Sequence, residues 1–361
     1  MNTAIPKDED VAAEWKAVEE ICNPSDINFA NTTLVARRLH KSYGARQAVK
    51  EFSLALRPAE CFGLLGVNGA GKTTTFRMLM AITPMTYGEA FMRDVALSKE
   101  PRKWQSRIGY CPQRDALPEK LNAHENLYLF GRLRGVPEES LPDIVRQMIE
   151  LTGLQEHADK RCDYYSDGNK RKLSTAISLI GLPGIVFLDE PYAGVDVLAR
   201  THIHKRLIDI KERTKCSMVL SSHSMEDCEI ACDRLCIMVK GEMVCLGTLQ
   251  HLKDKFGKGC NVKLFPCDSP KARPQEILEA AGKLFPGMKI LNNTQEQIEI
   301  RTRDKLPWSV LFRKLETLDR VAGCKGTLAS DTTLEQLFIE FAEKEHTQST
   351  LVLNRSPVAS P

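Results

Sequence analysis

The most constrained part of the sequence reads Gly66-Val67-Asn68-Gly69-Ala70-Gly71-Lys72-Thr73-Thr74. It fills every required position of the pattern G-x-x-x-x-G-K-[ST], between an apolar run at 60–65 and a helix-compatible run at 74–80. Backbone N–H groups of a glycine-rich loop that leads into a helix bind phosphate oxygens. In such a loop Lys72 reaches the β- and γ-phosphates, and the Thr73 hydroxyl binds Mg²⁺. The stretch therefore predicts a P-loop that binds a nucleoside triphosphate.

Composition narrows the range of functions. The chain has 361 residues, of which 42% are hydrophobic and 27% are charged, which is typical of a folded globular protein. Its 50 basic and 47 acidic residues leave a net charge of +3, so we expect no nucleic-acid partner. The N-terminus lacks a signal-peptide pattern, and the weakly polar run at 173–188 is too short to span a bilayer. Any contact with a membrane is therefore expected to be made through a partner.

The chain has twelve cysteines, which we expect to be reduced because no export signal precedes them. Cys228, Cys232 and Cys236 recur at intervals of four, which raises the question of a metal site. That spacing lacks a C-x₂-C element and has no nearby histidine to complete a tetrahedral set. These cysteines are interpreted as small apolar core residues, and Mg²⁺ bound with the nucleotide is the only metal expected.

Strand-like and helical segments alternate through the first two-thirds of the chain. Residues 1–32 are acidic and are interpreted as a linker that includes a potential short amphipathic helix. In residues 33–257, β-rich segments such as 185–188 alternate with helical patterns such as 198–212. This alternation predicts an α/β fold with a mixed, largely parallel sheet.

A smaller unit is predicted at residues 259–345. Its patterns read strand, helix, strand, strand, helix, strand, which is the ferredoxin-like order of a small α+β domain. A last amphipathic helix is predicted at 334–342, and the Ser- and Pro-containing tail at 346–361 is predicted to be disordered.

A second candidate site motif is Ile185-Val186-Phe187-Leu188-Asp189-Glu190, an apolar strand that ends in two carboxylates. Such a pair is often only a strand end with solvated charges. With a P-loop upstream it predicts that Asp189 holds Mg²⁺ through water. Glu190 then lies beside the γ-phosphate, where its carboxylate polarises the attacking water.

The stretch at 164–172, Tyr-Tyr-Ser-Asp-Gly-Asn-Lys-Arg-Lys, resembles the signature motif of ABC ATPases, usually written L-S-G-G-Q. Other P-loop enzymes lack this motif. The resemblance implies a P-loop fold with a helical subdomain that carries the signature. It also implies that Ser166, Gly168 and neighbouring N–H groups contact the γ-phosphate of an ATP held by an opposite subunit.

Further residues match ABC motifs in the expected order. Tyr43 lies at the A-loop position, where an aromatic ring stacks on adenine, although an ordinary tyrosine is the alternative. Gln113 matches the Q-loop, which reaches Mg²⁺ and senses the transmembrane partner. Asp196 matches the D-loop of the dimer interface. His223 matches the H-loop, whose imidazole contacts the γ-phosphate.

The resemblance narrows to the A subfamily of ABC transporters, which are mostly lipid movers. In that subfamily a small regulatory domain follows each nucleotide-binding domain, which fits residues 259–345. The acidic segment at 8–11 resembles the segment that joins the second membrane domain to the second nucleotide-binding domain. The chain is therefore expected to be a fragment of a longer transporter, with a separately encoded membrane partner as the alternative. The segments that carry the resemblance are 109–117, 132–138, 221–228 and 245–257.

The sequence departs from the family at three positions. Asp167 stands where the signature has Gly, and Tyr192 and Val197 stand where the subfamily has Thr and Pro. A carboxylate about 4 Å from a triphosphate charge is repelled by roughly 4 kcal/mol at most, at an effective permittivity near 20. The composite site that uses this signature is therefore expected to be impaired.

The resemblance implies an ATPase that couples hydrolysis to transport across a membrane. A head-to-tail second nucleotide-binding domain and transmembrane domains are the expected partners, and the cytoplasmic face of a membrane is the expected location. A regulatory ATP-binding module with weak or no hydrolysis is the alternative, because of Asp167. A soluble ABC ATPase is a third reading, which the single motif set and the absence of sustained heptads disfavour.

Overall fold

The computed structural model describes residues 8–22, 29, 31–93, 95–195, 197–256, 259–267, 274–294, 296–302, 306–322 and 324–331. These residues form two compact units that divide between Leu249 and Gln250. The predicted D-loop residue Asp196, the helix predicted at 334–342 and the tail at 346–361 lie outside the described residues.

The first unit combines two sheets with helices. Its strands are β1 (Leu34–Tyr43), β2 (Arg46–Leu56), β3 (Cys61–Leu65), β4 (Tyr87–Met92), β5 (Val95–Ala96), β6 (Ile108–Cys111), β7 (Ile185–Asp189), β8 (Ser217–Ser222), β9 (Arg234–Val239) and β10 (Glu242–Gly247). Its helices are α1 (Glu9–Ile21), α2 (Lys72–Leu79), α3 (Pro101–Ser106), α4 (Ala123–Leu133), α5 (Leu141–Thr152), α6 (Asp167–Leu179), α7 (Val197–Thr214) and α8 (Met225–Ala231), and α9 (Leu249–Phe256) begins at the division. Two 3₁₀ turns lie at Gln155–His157 and Cys162–Tyr164.

A six-stranded sheet holds the P-loop. Its order is β10-β9-β3-β8-β7-β6, and every neighbouring pair is parallel except β10 with β9. β3 and β7 are buried along their whole lengths, as apolar strands covered on both faces must be. Phe76 of α2 packs edge-on against Phe187 of β7, with ring centroids 5.5 Å apart. The predicted α/β fold is confirmed, and parallel strands bring the ends of β3, β7 and β8 to one edge.

A separate antiparallel sheet has the order β2-β1-β4-β5. The sequence did not predict it as a distinct layer, because only its first strand was recognised. β1 and β2 form a hairpin in which Tyr43 pairs with Arg46. Gly44 in the turn has φ +57°, a left-handed conformation that glycine adopts without strain.

The segment expected to be a linker contains a packed helix, α1. The Asp8 side chain caps its N-terminus, and Val11 and Val18 on one face are buried. The Glu14 carboxylate lies 2.9 Å from the Arg234 guanidinium at the start of β9. Residues 9–21 therefore form the short amphipathic helix that the sequence predicts within the acidic segment. Its apolar face and the Glu14–Arg234 ion pair pack it against the first unit.

The second unit has its own core. Its elements after α9 are β11 (Cys260–Pro266), α10 (Pro274–Leu284), β12 (Lys289–Asn293), β13 (Ile298–Arg301), α11 (Trp308–Ala322) and β14 (Cys324–Asp331). The sheet is antiparallel with the order β12-β13-β11-β14, and Ile277 and Leu311 of the two helices are fully buried in the core cluster. The predicted order of strands and helices is present, and the ferredoxin-like assignment stays a prediction.

Across the described ranges, no helix combines the length and the apolar character needed to cross a bilayer.

Candidate nucleotide-binding site

The P-loop joins β3 to α2 in a tight turn. Gly71 has φ +113°, and a Cβ atom there would lie 2.6 Å from the Ala48 carbonyl oxygen, so only glycine fits. α2 begins at the next residue, Lys72, which is 5% exposed. The Lys72 ammonium donates to the carbonyl oxygens of Gly66 at 2.6 Å and Val67 at 3.3 Å. Burial lowers the pKa of Lys72, and the nearby carboxylates of Glu190 and Asp189 oppose that shift.

A cavity of about 350 Å³ opens over the P-loop. Because its lining includes residues from three predicted motifs besides the P-loop, the fold brings together positions far apart in the chain. The lining residues are Tyr43, Arg46, Ala48, Asn68, Gly69, Ala70, Gly71, Lys72, Thr73, Thr74, Gln113 and Glu190.

Tyr43 ends β1 at the rim of this cavity, where its side chain is 47% exposed. The ammonium of Lys41 lies 5.1 Å from the centroid of the Tyr43 ring. An exposed aromatic ring beside a phosphate-binding loop is a suitable surface for stacking a nucleobase. Arg46 and Ala48 of β2 also line the cavity, and sequence reasoning did not find them, because only the β1–β2 hairpin places them there.

Asp189 ends β7 and is 1% exposed. The Ser221 hydroxyl of β8 donates to Asp189 Oδ1, whereas Asp189 Oδ2 is buried without a hydrogen-bond partner. Burial raises the pKa of this carboxyl, and the Ser221 hydrogen bond partly offsets the shift. A buried carboxylate oxygen with no partner is costly unless a cation binds it.

The predicted magnesium ligands fit a hard cation bound together with phosphates. Thr73 supplies a hydroxyl, Gln113 an amide oxygen and Asp189 the unpartnered carboxylate oxygen. Mg²⁺ prefers such oxygen ligands and is usually held by one or two carboxylates plus substrate phosphates. Among the described residues, no group of three His, Cys, Asp or Glu side chains is placed to hold a metal ion.

Glu190 follows β7 and meets two other predicted motifs. Gln113 Nε2 donates to Glu190 Oε2 at 2.9 Å, and His223 Nδ1 lies 3.4 Å from Glu190 Oε1. The Glu190 side chain is 10% exposed, whereas that of His223 is 59% exposed. Glu190 also has φ +49°, an uncommon conformation for a residue other than glycine. The structure therefore holds this carboxylate at the cavity wall between an amide and an imidazole.

The signature residues lie apart from this cavity. Ser166 caps the N-terminus of α6, and its hydroxyl accepts a hydrogen bond from the Asn169 backbone N–H at 3.3 Å. Asp167 is the first residue of α6, and both Ser166 and Asp167 are exposed. A Cβ atom at Gly168 would meet nothing closer than Ser166 Oγ at 3.9 Å, so packing within the described residues does not require glycine there. Neither Ser166 nor Gly168 lines the P-loop cavity of the described chain.

Tyr192, which stands where the subfamily has Thr, is buried in the core. Its ring is 2% exposed, and its buried hydroxyl has no hydrogen-bond partner among the described residues. Burial raises the pKa of this phenol well above its usual value. The larger side chain is therefore accommodated in the interior, at the cost of an unsatisfied hydroxyl.

A family model described as ABC transporter matches residues 49–193. The chain belongs to the ABC transporter family. Within it, the sequence is 40% identical over 344 residues to ATP-binding cassette sub-family A member 2 of Homo sapiens, covering 94% of this chain and 14% of that protein. It is 40% identical over 343 residues to the phospholipid-transporting ATPase ABCA3 of Homo sapiens, covering 94% of this chain and 20% of that protein. The domain thus belongs to the A subfamily, and it spans no more than about a fifth of these relatives.

Solved structures agree on the fold. A structure described as the ATP binding subunit of an ABC transporter superposes with a TM-score of 0.58 at 25% identity, covering 63% of this chain and 94% of that one. The ATP-binding cassette MJ0796, in a dimeric post-hydrolysis state with ADP and Pi, gives a TM-score of 0.56 at 20% identity, covering 60% of this chain and 98% of that one. Both describe the fold of an ABC ATP-binding domain.

Proposed function

We propose that this ABC domain hydrolyses ATP with Mg²⁺ and that the energy drives transport of a lipid across a membrane. The observation that carries the proposal is the position of Glu190, which lines the same cavity as the P-loop. Gln113 and His223 contact its two carboxylate oxygens. A carboxylate held beside a triphosphate site is the arrangement that a general base for water attack requires.

The residues of the cavity have different roles in binding and hydrolysing ATP. The P-loop N–H groups and Lys72 bind the β- and γ-phosphates, and the Tyr43 ring stacks on the base. Thr73, Gln113 and Asp189 would hold Mg²⁺, and the ion would supply positive charge to neutralise the phosphate oxygens. Glu190 takes the proton of the attacking water.

The P-loop cavity supplies only part of the site. Ser166 and Gly168 belong to the same chain but lie outside its own cavity, so they are offered to a second nucleotide-binding domain in head-to-tail contact. The second domain returns its own signature to this P-loop. The N-terminus of α6 begins at an exposed residue, and the positive end of the helix dipole there suits contact with a γ-phosphate.

Transport is proposed from the relatives. ABCA3 of Homo sapiens and ABCA4 of Bos taurus are both named phospholipid-transporting ATPases, and the latter is 39% identical over 357 residues. Transmembrane domains are the proposed second partner, and this domain then lies at the cytoplasmic face of the membrane that they span.

The test measures ATP turnover per chain as the concentration of a second ABC domain is raised. Head-to-tail pairing predicts that the rate per chain rises steeply from a low value and then saturates. A rate independent of concentration would contradict the shared site, and failure to bind ATP would contradict the function as a whole. In vesicles with the complete transporter, ATP-dependent movement of a labelled phospholipid tests the lipid assignment separately.

A regulatory module that binds ATP and barely hydrolyses it is the second candidate, and Asp167 is the observation that favours it. Single-turnover hydrolysis by the paired domains separates the two candidates. Lys72, Asp189, Glu190 and His223 are all present, so we expect product to form within one turnover.

A further inference from the structure

Arg171 lies in the second turn of the signature helix α6 and is 2% exposed. The motifs did not single it out. A guanidinium has five N–H donors, and here it makes five hydrogen bonds. The acceptors are the carbonyl oxygens of Pro112, Asp189, Glu190 and Pro191 and the carboxylate of Asp115.

One edge of the guanidinium faces the end of β7. Nη2 donates to the carbonyl oxygens of Asp189 at 2.7 Å and Glu190 at 2.5 Å, and Nε donates to Pro191 at 3.2 Å. One side chain of α6 therefore fixes three successive peptide groups. They belong to the two residues with carboxylates and to the first residue of the turn after them.

The other edge faces the turn that contains Gln113. Nη1 donates to the Pro112 carbonyl oxygen and lies 2.9 Å from Asp115 Oδ1. Asp115 is the one carboxylate paired with this guanidinium among the described residues, and its side chain is 19% exposed. Arg171 thus connects both flanks of Gln113 to the backbone beneath Glu190.

The backbone of Glu190 needs such support. Its φ of +49° is disfavoured for a side chain other than glycine, so surrounding contacts must hold it. On the N-terminal side, the Glu190 N–H donates to Ser221 Oγ at 3.0 Å and to the Ser221 carbonyl oxygen at 3.2 Å. On the C-terminal side, Arg171 binds the Glu190 carbonyl oxygen. With both peptide groups held, the direction of the Glu190 Cα–Cβ bond is set, and Gln113 and His223 contact the carboxylate at its end.

We propose that Arg171 is a positioning residue for ATP hydrolysis, which ties the turn at 112–115 to Glu190 and thereby sets the carboxylate against the attacking water. The inference rests on the proposed hydrolysis at this site. Movement of the turn reaches Glu190 by two routes, through the Gln113 amide and through the Arg171 guanidinium. Lysine cannot replace Arg171, since a single ammonium cannot satisfy acceptors on two edges of a planar group.

The experiment compares Arg171→Lys with a matched control, Arg234→Lys, in the full chain paired with a second ABC domain. Arg234 is also buried, 8% exposed, and pairs with Glu14 and Glu60 rather than with the turn or with Glu190. The unfolding midpoint of each variant is measured first. ATP affinity and the single-turnover rate are then measured at a temperature below the unfolding midpoints of both variants. We expect both variants to unfold at a lower temperature than the wild type and to keep its ATP affinity within about threefold. Only Arg171→Lys is expected to lower the single-turnover rate, by about tenfold or more.

A second variant separates the two ends of the connection. Asp115→Asn keeps an acceptor for Arg171 and removes the charge, and we expect a loss of severalfold in single-turnover rate with ATP affinity unchanged. In a Glu190→Gln background, neither change should lower the rate further, because all three act on one step.

Three results would count against the inference. Equal rate losses in Arg171→Lys and Arg234→Lys would reduce Arg171 to a structural role. A wild-type rate in Asp115→Asn would remove the link to the turn, and this variant also decides the case if Arg171→Lys does not fold. No hydrolysis by the wild-type pair would overturn the proposed function itself, and this inference with it.

Discussion

The P-loop half of the site and the signature half are built in different ways. Lys72 and Asp189 are buried, and their partners lie on neighbouring strands and loops of the same chain. Ser166 and Asp167 are exposed at the start of α6, and the contact found for the Ser166 hydroxyl is the local cap to Asn169. The first half is formed by tertiary packing, whereas the second is formed by one exposed helix end.

Asp167 shows that local stability and function can favour different residues. A carboxylate in the first turn of a helix interacts favourably with the helix dipole, by about 0.3 to 1 kcal/mol. The same charge opposes a phosphate brought to that helix end by a partner. Within the described chain, Asp167 is therefore a good helix-start residue, and its cost would arise only in the proposed head-to-tail dimer.

The largest effect is expected in the P-loop half. Glu190→Gln keeps the hydrogen bond with Gln113 and removes the base, so single-turnover hydrolysis should fall by about 10²- to 10⁴-fold. ATP affinity, measured by titration with a fluorescent analogue, should change less than about threefold. Appreciable residual turnover would show that another group activates the water.

The signature half is tested by Asp167→Gly. Removing the charge should raise ATP turnover at the composite site by about tenfold, which is well below the upper limit that the roughly 4 kcal/mol repulsion sets. Asp167→Asn is the matched control, because it removes the charge and keeps the side-chain shape. Equal gains would assign the effect to charge, and unchanged ATPase activity in the assembled pair would end the idea that this signature is impaired.

An effect of similar size, on ATP binding rather than on turnover, is expected at the cavity rim. Tyr43→Ala should weaken ATP binding by about tenfold, since stacking of a base on an aromatic ring contributes about 1–3 kcal/mol. Tyr43→Phe keeps the ring and should bind ATP like the wild type. The stacking role is wrong if the Tyr43→Ala variant binds ATP as tightly as the wild type does and binds a triphosphate without a base equally well.

The comparison also shows what the sequence could and could not predict. The P-loop and the carboxylates at the end of β7 were predictable, because each is a local pattern in which strand, turn and charge are contiguous. The partners of Arg171 lie more than fifty residues before it and about twenty after it, so no local pattern reveals them. The pair of Glu14 with Arg234 spans an even longer separation, so the acidic sequence of this segment predicts a helix but not this contact of α1.

The smallest expected effect is that of Asp189→Asn on the unfolding midpoint. Its sign differs between the ligand-free protein and the protein with ATP and Mg²⁺. Burial raises the pKa of Asp189 in the folded state, so its contribution to stability is complete below the unfolded pKa and is lost as pH rises through the folded value. At neutral pH the ligand-free protein therefore bears the cost of a buried charge with one unpartnered oxygen. Asp189→Asn removes that charge and should raise the unfolding midpoint by about 2–4 °C, as roughly 1 kcal/mol does in a domain of this size.

Two conditions make this prediction specific to the P-loop half. At pH 3 the gain should vanish, because the wild-type carboxyl is then protonated in both states. With ATP and Mg²⁺ the order should reverse, since the ligands stabilise the wild type by binding its folded form and bind the variant less well. Asp159→Asn, at a side chain that is 93% exposed, is the control and should shift neither midpoint. A variant that stays more stable than the wild type at saturating ATP and Mg²⁺ would remove Asp189 from the metal site.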